Sequence, residues 1–240
     1  MVFLQAALNG DRQHPAVPKT AGNIAKDVKA AIDAGADSAH VHAFDDNGEE
    51  TLDGVACSRM LKAIRYLCPG VPVSLTTSAT IVPDPGKRLA IVQTWTDFPD
   101  LVTANQGEEG IIELSEWLIS RGVGIEAGLL SADDARKFIA SPVRYKCRRV
   151  LIEPLDKDSN EALHHAAEME EIVLNAGIII EQVHHGYDIA CWAVNARAIR
   201  WGHGIRTGLE DVAVLPDGVT AESNVQLVRA AVAMIREVRR

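Results

Sequence analysis

Along the chain, short β-branched or apolar runs alternate with longer stretches in which apolar residues return every three or four positions. The runs that read as strands start near Val2, Ser38, Val71, Leu101, Val123, Arg149, Ile178 and Gly204. Between the first two, NIAKDVKAAIDAG puts Ile24, Val28, Ala31 and Ile32 on one helix face, and Gly35 ends it. SNVQLVRAAVAMI forms a similar stripe from Val225, Val228, Val232 and Ile235. Pro85 suits the first turn of a third helix, and Ser131 is an N-cap for a fifth. Strands and helices that alternate without consecutive strands predict a parallel sheet with right-handed crossovers. Eight such units, at about 30 residues each, predict an α/β fold of the closed (β/α)8 TIM-barrel type with a mostly aliphatic interior. A doubly wound open sheet is the alternative, but no GxGxxG follows the first strand.

The length of 240 residues suffices for a large core, and no low-complexity linker divides it, so residues 1–240 are expected to form one domain. With 24 basic and 33 acidic residues the formal charge is -9 and no basic stripe appears, which argues against nucleic acid and anionic membrane as partners. The basic ending from Arg236 to Arg240 reads as cations at a helix C-terminus. Cys57, Cys68, Cys147 and Cys191 form no CxxC, so reduced thiols in the cytoplasm are expected. The opening VFLQAAL is too short for a membrane span and lacks a basic n-region.

A barrel collects its chemistry at the C-terminal ends of its strands. Those ends carry Asn9, His40 and His42, Thr76, Asn105, Glu126, Glu153, Glu181 through His185, and Arg206 with Glu210 and Asp211. In AHVHAF, His40 and His42 share one face of a strand while Ala39, Val41 and Ala43 share the other. The small apolar set suits the helix layer, which turns the imidazoles inward, either as hydrogen-bonded core residues or as ligands of one ion. In GIRTGLED, Arg206, Gly208 and Glu210 have common parity, and the last strand of a closed barrel lies two strands from the second. Two His and one carboxylate with open positions make a catalytic divalent site, for Zn²⁺ ahead of Fe²⁺ or Mn²⁺. Arg206 and Asp211 beside it form either a rim ion pair or a general base for a proton α to a carbonyl.

Together ALNG, AGADSAHVHAFDDNG, IRTGLED and AESNVQLV resemble, in that order and over nearly the whole chain, the β-keto acid cleavage enzymes. That family comprises zinc-dependent (β/α)8 barrels. The resemblance implies a reaction in which a β-keto acid and acetyl-CoA exchange to give acetoacetate and a new acyl-CoA. It implies one Zn²⁺ per chain on His40, His42 and Glu210, and a catalytic pair of Arg206 with Asp211, the Asp deprotonating the keto acid between its two carbonyls. Asn9, Thr76, Thr103, Asn105 and Glu126 match polar positions expected to contact substrate. Phe44 stands where the family commonly has Arg, Asp11 and Arg12 follow Gly10, TTSA replaces a Ser-Thr-Gly-Gly turn, and Gly128 stands for a second Glu. These departures touch substrate or CoA contacts rather than the metal. The chain is also shorter after strand six and at its C-terminus.

Of His184 and His185 in EQVHHG, one must face inward, and His184 is taken as the substrate contact. Glu153 and Glu181 are either substrate contacts or rim ion-pair partners, and His14 is placed to close over the site. His164 and His165 read as a solvated helix face, and Trp95, Trp117, Trp192 and Trp201 as helix packing. Two other readings stay open: a metal-dependent lyase, aldolase or hydrolase without CoA, and a non-catalytic metabolite-binding barrel. Histidines on strand two rather than strand one argue mildly against the hydrolases. A homo-oligomer is expected from the barrel's size.

Overall fold

In the computed structural model, which describes residues 2–238, the chain closes into an eight-stranded parallel barrel ringed by eight helices. The elements run β1 (Leu4–Ala7), α1 (Ala21–Ala34), β2 (Ser38–Val41), β3 (Ala43–Phe44), β4 (Glu50–Thr51), α2 (Gly54–Leu67), β5 (Val73–Thr76) and α3 (Pro85–Val92). They continue with β6 (Leu101–Asn105), α4 (Ile111–Ser120), β7 (Gly124–Leu129), α5 (Ala132–Ala140), β8 (Arg149–Ile152) and α6 (Ser159–Asn175). The last are β9 (Glu181–His184), α7 (Ala190–Trp201), β10 (Gly204–Thr207) and α8 (Asn224–Val238). Barrel order is β1-β10-β9-β8-β7-β6-β5-β2. Closure runs through β1, which pairs Leu4 with Ile205 on one side and Ala7 with His40 on the other.

Local signals set most boundaries. Thr20, Asp53, Asp84, Ser131 and Asp158 cap the starts of α1, α2, α3, α5 and α6 with side-chain oxygens on backbone N–H groups. Gly35, at φ 119°, ends α1 by donating to Ala31 and Ile32. The strand expected near Ile178 begins at Glu181, because Gly177 and Ile178 still close the end of α6. The small antiparallel pair β3–β4 has no counterpart in the expected elements. Trp95 lies in the loop after α3, not on a helix, where its indole N–H donates to Leu52 O at 2.8 Å. Arg236 occupies the last turn of α8, while Arg239 and Arg240 lie outside the described residues.

The aliphatic core sits between sheet and helices, around residues such as Val28, Ile64, Leu75, Ile125, Val150 and Val228. The barrel interior is polar instead. Gln5, His40, Ser74, Thr103, Glu126, Arg149 and Arg206 are all buried; Glu126 accepts from Gln5 and Ser74, while Gln5 Oε1 and Arg149 Nε and Nη1 have no hydrogen-bond partner. An aliphatic interior was expected because the strands are apolar on average, but the apolar residues belong to their outward faces. Among the described residues no helix is long and apolar enough to cross a membrane.

Candidate active site

The C-terminal mouth opens into a cavity of about 380 Å³ lined by His40, His42, Thr76, Thr103, Asn105, Arg206, Glu210 and Asp211, among others. His40 comes from β2 and His42 from the residue after it, their rings edge-on with centroids 5.3 Å apart. Glu210 does not come from strand parity. β10 stops at Thr207, and a tight turn follows in which Asp211 N and Val212 N both donate to Gly208 O. The turn presses on β1: a Cβ on Gly208 would lie 1.9 Å from Ala7 O, so only glycine fits. Gly10, at φ 137°, lies under the site, and a Cβ there would stand 3.2 Å from Glu210 Cγ.

His40 Nε2 lies 3.5 Å from Glu210 Oε2, and His42 Nε2 lies 3.4 Å from Glu210 Oε1. Both Nδ1 atoms turn away, His40 toward Ser74 Oγ at 3.2 Å and Thr103 Oγ1 at 3.3 Å, His42 toward the Glu50 carboxylate. Three donor atoms thus converge from three sides, and Glu210 Oε2 is buried without a hydrogen-bond partner. Borderline nitrogen donors with one carboxylate fit a divalent cation. Arg206 ties this cluster to its neighbour. It donates to Asp211 Oδ2 at 3.1 Å and Oδ1 at 2.6 Å, and to Glu210 Oε1 at 3.0 Å.

Charge follows from this crowding. Burial pushes His40 down to about 3. Burial opposes charge on His42 as well, but Glu210 and Glu50 outweigh it and lift that imidazole to about 9. Glu210 is held well below the carboxylate range, because Arg206, His40 and His42 overcome its burial. Burial raises Asp211 despite its guanidinium partner. A carboxylate of raised pKa is the stronger base once ionised.

The structure sorts the residues expected at substrate. Thr76, Thr103 and Asn105 line the cavity. Asn9 does not; its side chain accepts from His42 N at 2.8 Å and donates to Pro18 O and His42 O, bracing the backbone of His42. Glu126 sits below the mouth, bonded to Gln5 Nε2, Ser74 Oγ and, at 3.6 Å, facing Arg149. It is fully buried among these partners and does not line the mouth. His184 points out of the barrel, stacked on His203 at 4.6 Å and bonded to Gln182. The inward partner is His185, fully buried, with Nε2 3.2 Å from Glu153 and Nδ1 3.5 Å from Asp211. Strand alternation could have picked it, since Glu181 on the same parity meets the interior Arg149. Glu153 lines the mouth, Glu181 pairs with Arg148 and Arg149 at the strand's start, and His14 folds back to accept from Ala16 N. His165 is exposed and pairs with Asp156.

A second cluster, Glu170, His184 and His203, also brings three donors together. Its carboxylate is already taken by Arg197 at 2.5 Å, and its two rings are parallel within 10°, so their in-plane lone pairs do not converge.

Residues 1–147 and 156–240 match the sequence pattern of the beta-keto acid cleavage enzyme family. The chain belongs to this family. It is 26% identical over 261 residues to a 3-keto-5-aminohexanoate cleavage enzyme of Fusobacterium nucleatum subsp. nucleatum, covering 100% of this chain and 93% of that one. It is 25% identical over 257 residues to the enzyme of the same name from Acetoanaerobium sticklandii, covering 98% and 92%. Among solved structures, the ternary complex of ObcA with a C4-CoA adduct and oxalate gives a TM-score of 0.76 at 13% identity. That match covers 93% of this chain but 64% of ObcA, and it carries the barrel alone.

In this member of the β-keto acid cleavage enzyme family the departing positions are built into the rim. Arg12 donates to the carbonyls of Glu210 and Asp211 at 3.0–3.4 Å, pairs with Asp188 at 2.8 Å and lies over the Tyr187 ring. Phe44 lies under the Lys19 ammonium. Asn105 fills the space beside Gly128, where a Cβ would stand 2.4 Å from its Oδ1.

Proposed function

We propose that residues 1–240 act as one catalytic unit, a metal-dependent β-keto acid cleavage enzyme that exchanges a β-keto acid with acetyl-CoA to give acetoacetate and a new acyl-CoA. The observation that carries this reading is the convergence of His40 Nε2, His42 Nε2 and Glu210 at one point beside the buried Arg206–Asp211 pair. His40, His42 and Glu210 would hold one divalent ion, with Zn²⁺ favoured by the donor set. When bound, such an ion supplies Lewis-acid polarisation of the keto oxygen and positive charge for the enolate. Asp211 takes the proton from the carbon between the two carbonyls, its carboxylate aimed by two hydrogen bonds from Arg206. The released electron pair attacks the thioester carbonyl, CoA migrates to the acyl group of the keto acid, and carbon–carbon cleavage releases acetoacetate. Thr76, Thr103 and Asn105 offer hydroxyl and amide groups to the substrate's oxygens. The CoA thioester is carried over from the family and from the adduct held by ObcA. We extend the reading to a cytoplasmic homo-oligomer, the usual state of barrels of this size.

A CoA-independent lyase on the same metal and base is the second reading. It is favoured by the mouth's lining, where Asp11, Glu50, Glu108 and Glu153 are acidic and Arg206 is the one Lys or Arg, already paired twice. The deciding experiment incubates the zinc-loaded protein with a panel of β-keto acids and acetyl-CoA. New acyl-CoA and acetoacetate in equal amounts are expected. Keto acid consumed while acetyl-CoA stays constant overturns the acyl exchange and leaves the lyase.

A further inference from the structure

The two imidazoles at the mouth are supported from behind in different ways. His40 Nδ1 meets neutral hydroxyls, and only through Ser74 Oγ and Thr103 Oγ1 does it reach the carboxylate of Glu126. His42 Nδ1 meets a carboxylate directly, that of Glu50. Glu50 arrives by a short route. β3 continues straight on from His42, Asp45 Oδ1 accepts from Asn47 N at 2.8 Å and Glu49 N at 3.0 Å to fold the turn, and β4 returns with Phe44 opposite Glu50. Donor ring and carboxylate are therefore eight positions apart in sequence and locked by one hairpin.

We propose that Glu50 is a positioning residue for the metal centre, accepting the Nδ1–H of His42 so that Nε2 is the ring nitrogen aimed at the ion beside Glu210. The inference rests on the metal reading above. Three features support it. Glu50 contacts the ring nitrogen opposite the one that faces Glu210, so it braces the ligand rather than joining it. Its side chain is 18% exposed, so little water competes for the bond. Asn9 fixes the backbone of the same residue from the other side, through His42 N and His42 O. With tautomer and ring orientation both set, His42 enters metal binding pre-organised. Carboxylates that brace metal-bound imidazoles in this way are worth about 10–100-fold in metal affinity. Because Glu126 acts on His40 only through the hydroxyls of Ser74 and Thr103, its removal is expected to cost less.

The test titrates metal-depleted full-length protein with Zn²⁺, and with Co²⁺ as a spectroscopic probe. Glu50→Ala is expected to raise the zinc Kd by about 10–100-fold and to alter the visible Co²⁺ band. Glu50→Gln, which keeps the side chain's bulk and a neutral acceptor, is expected to fall between Ala and wild type, with Glu126→Gln nearer wild type than Glu50→Ala. Both Glu50 variants should keep the wild-type circular dichroism, and Glu50→Gln carries the test if Glu50→Ala does not fold. Wild-type protein that binds no zinc overturns the metal reading and this inference with it. Wild-type binding with unchanged affinity and cobalt spectrum in both Glu50 variants overturns this inference alone.

Discussion

Gly208→Ala adds one methyl at the point where the turn bearing Glu210 and Asp211 crosses β1. The new Cβ would sit 1.9 Å from Ala7 O, 2.5 Å from Ala7 C and 2.9 Å from Ala7 N. Carbon and oxygen not bonded to each other keep about 3.3 Å or more, so turn and strand must separate by more than an ångström. All three obstacles are backbone in the barrel wall, and none can rotate away. Overpacking of this kind costs about 1–3 kcal/mol. The separation also breaks the bond from Glu210 N to Ala7 O, 3.2 Å long here and worth about 1 kcal/mol net. The expected loss is therefore about 2–4 kcal/mol in urea unfolding. The same shift carries Glu210 away from the imidazoles, and a 1 Å misplacement costs about 100-fold in rate. Gly22→Ala is the control: it adds the same methyl to α1 where nothing lies within 4 Å, and it should leave stability unchanged or raised. Equilibrium unfolding and zinc titration of both variants are the assays. A Gly208→Ala protein within 0.5 kcal/mol of wild type, with wild-type zinc affinity, would refute the steric reasoning and the role given to this turn.

Asp211→Asn should bind zinc like wild type while α-hydrogen exchange of a β-keto acid in deuterated water falls at least about 100-fold; unchanged exchange eliminates Asp211 as the base. His184 gives the fold a pH dependence: burial and the His203 charge hold it down to about 3, against 6.5 in the open chain. The unfolded chain therefore binds the proton first, and this contribution to stability is present above pH 6.5 and lost as pH falls toward 3. The loss reaches about 1.4 kcal/mol per pH unit at most, so His184→Phe should flatten the decline between pH 6.5 and 5 by up to about 2 kcal/mol. Parallel stability profiles of wild type and variant would contradict that placement.

What could be read from the sequence divides along the two structural periods. Alternation in β2 and apolar stripes on α1 are properties of single elements, so the inward imidazoles and the barrel's β-α rhythm were visible before any coordinates. Glu210 was paired with them by extending β10 past Thr207, and its position depends instead on a glycine turn against Ala7, a contact between the two ends of the chain. His184 and His185 differ by one step of register, and the register follows from where β9 begins, three residues later than apolarity indicated. Glu126 looked like a rim residue because the partners that bury it, Gln5 and Ser74, lie on other strands. Strands of two residues, β3 and β4, leave no periodicity at all, so the hairpin that brings Glu50 to His42 was invisible. Asn9 was legible as a polar strand end, but not as a brace, since both its partners lie on other segments.

The most direct test of a shared metal centre is the zinc content of purified protein, measured beside His40→Ala and Glu210→Gln with circular dichroism as the check on folding. One zinc per chain in the wild type, with none retained in either folded variant, is predicted. Zinc-free wild type in metal-replete growth, or a full zinc complement in Glu210→Gln, would contradict the convergence of these three side chains on one ion.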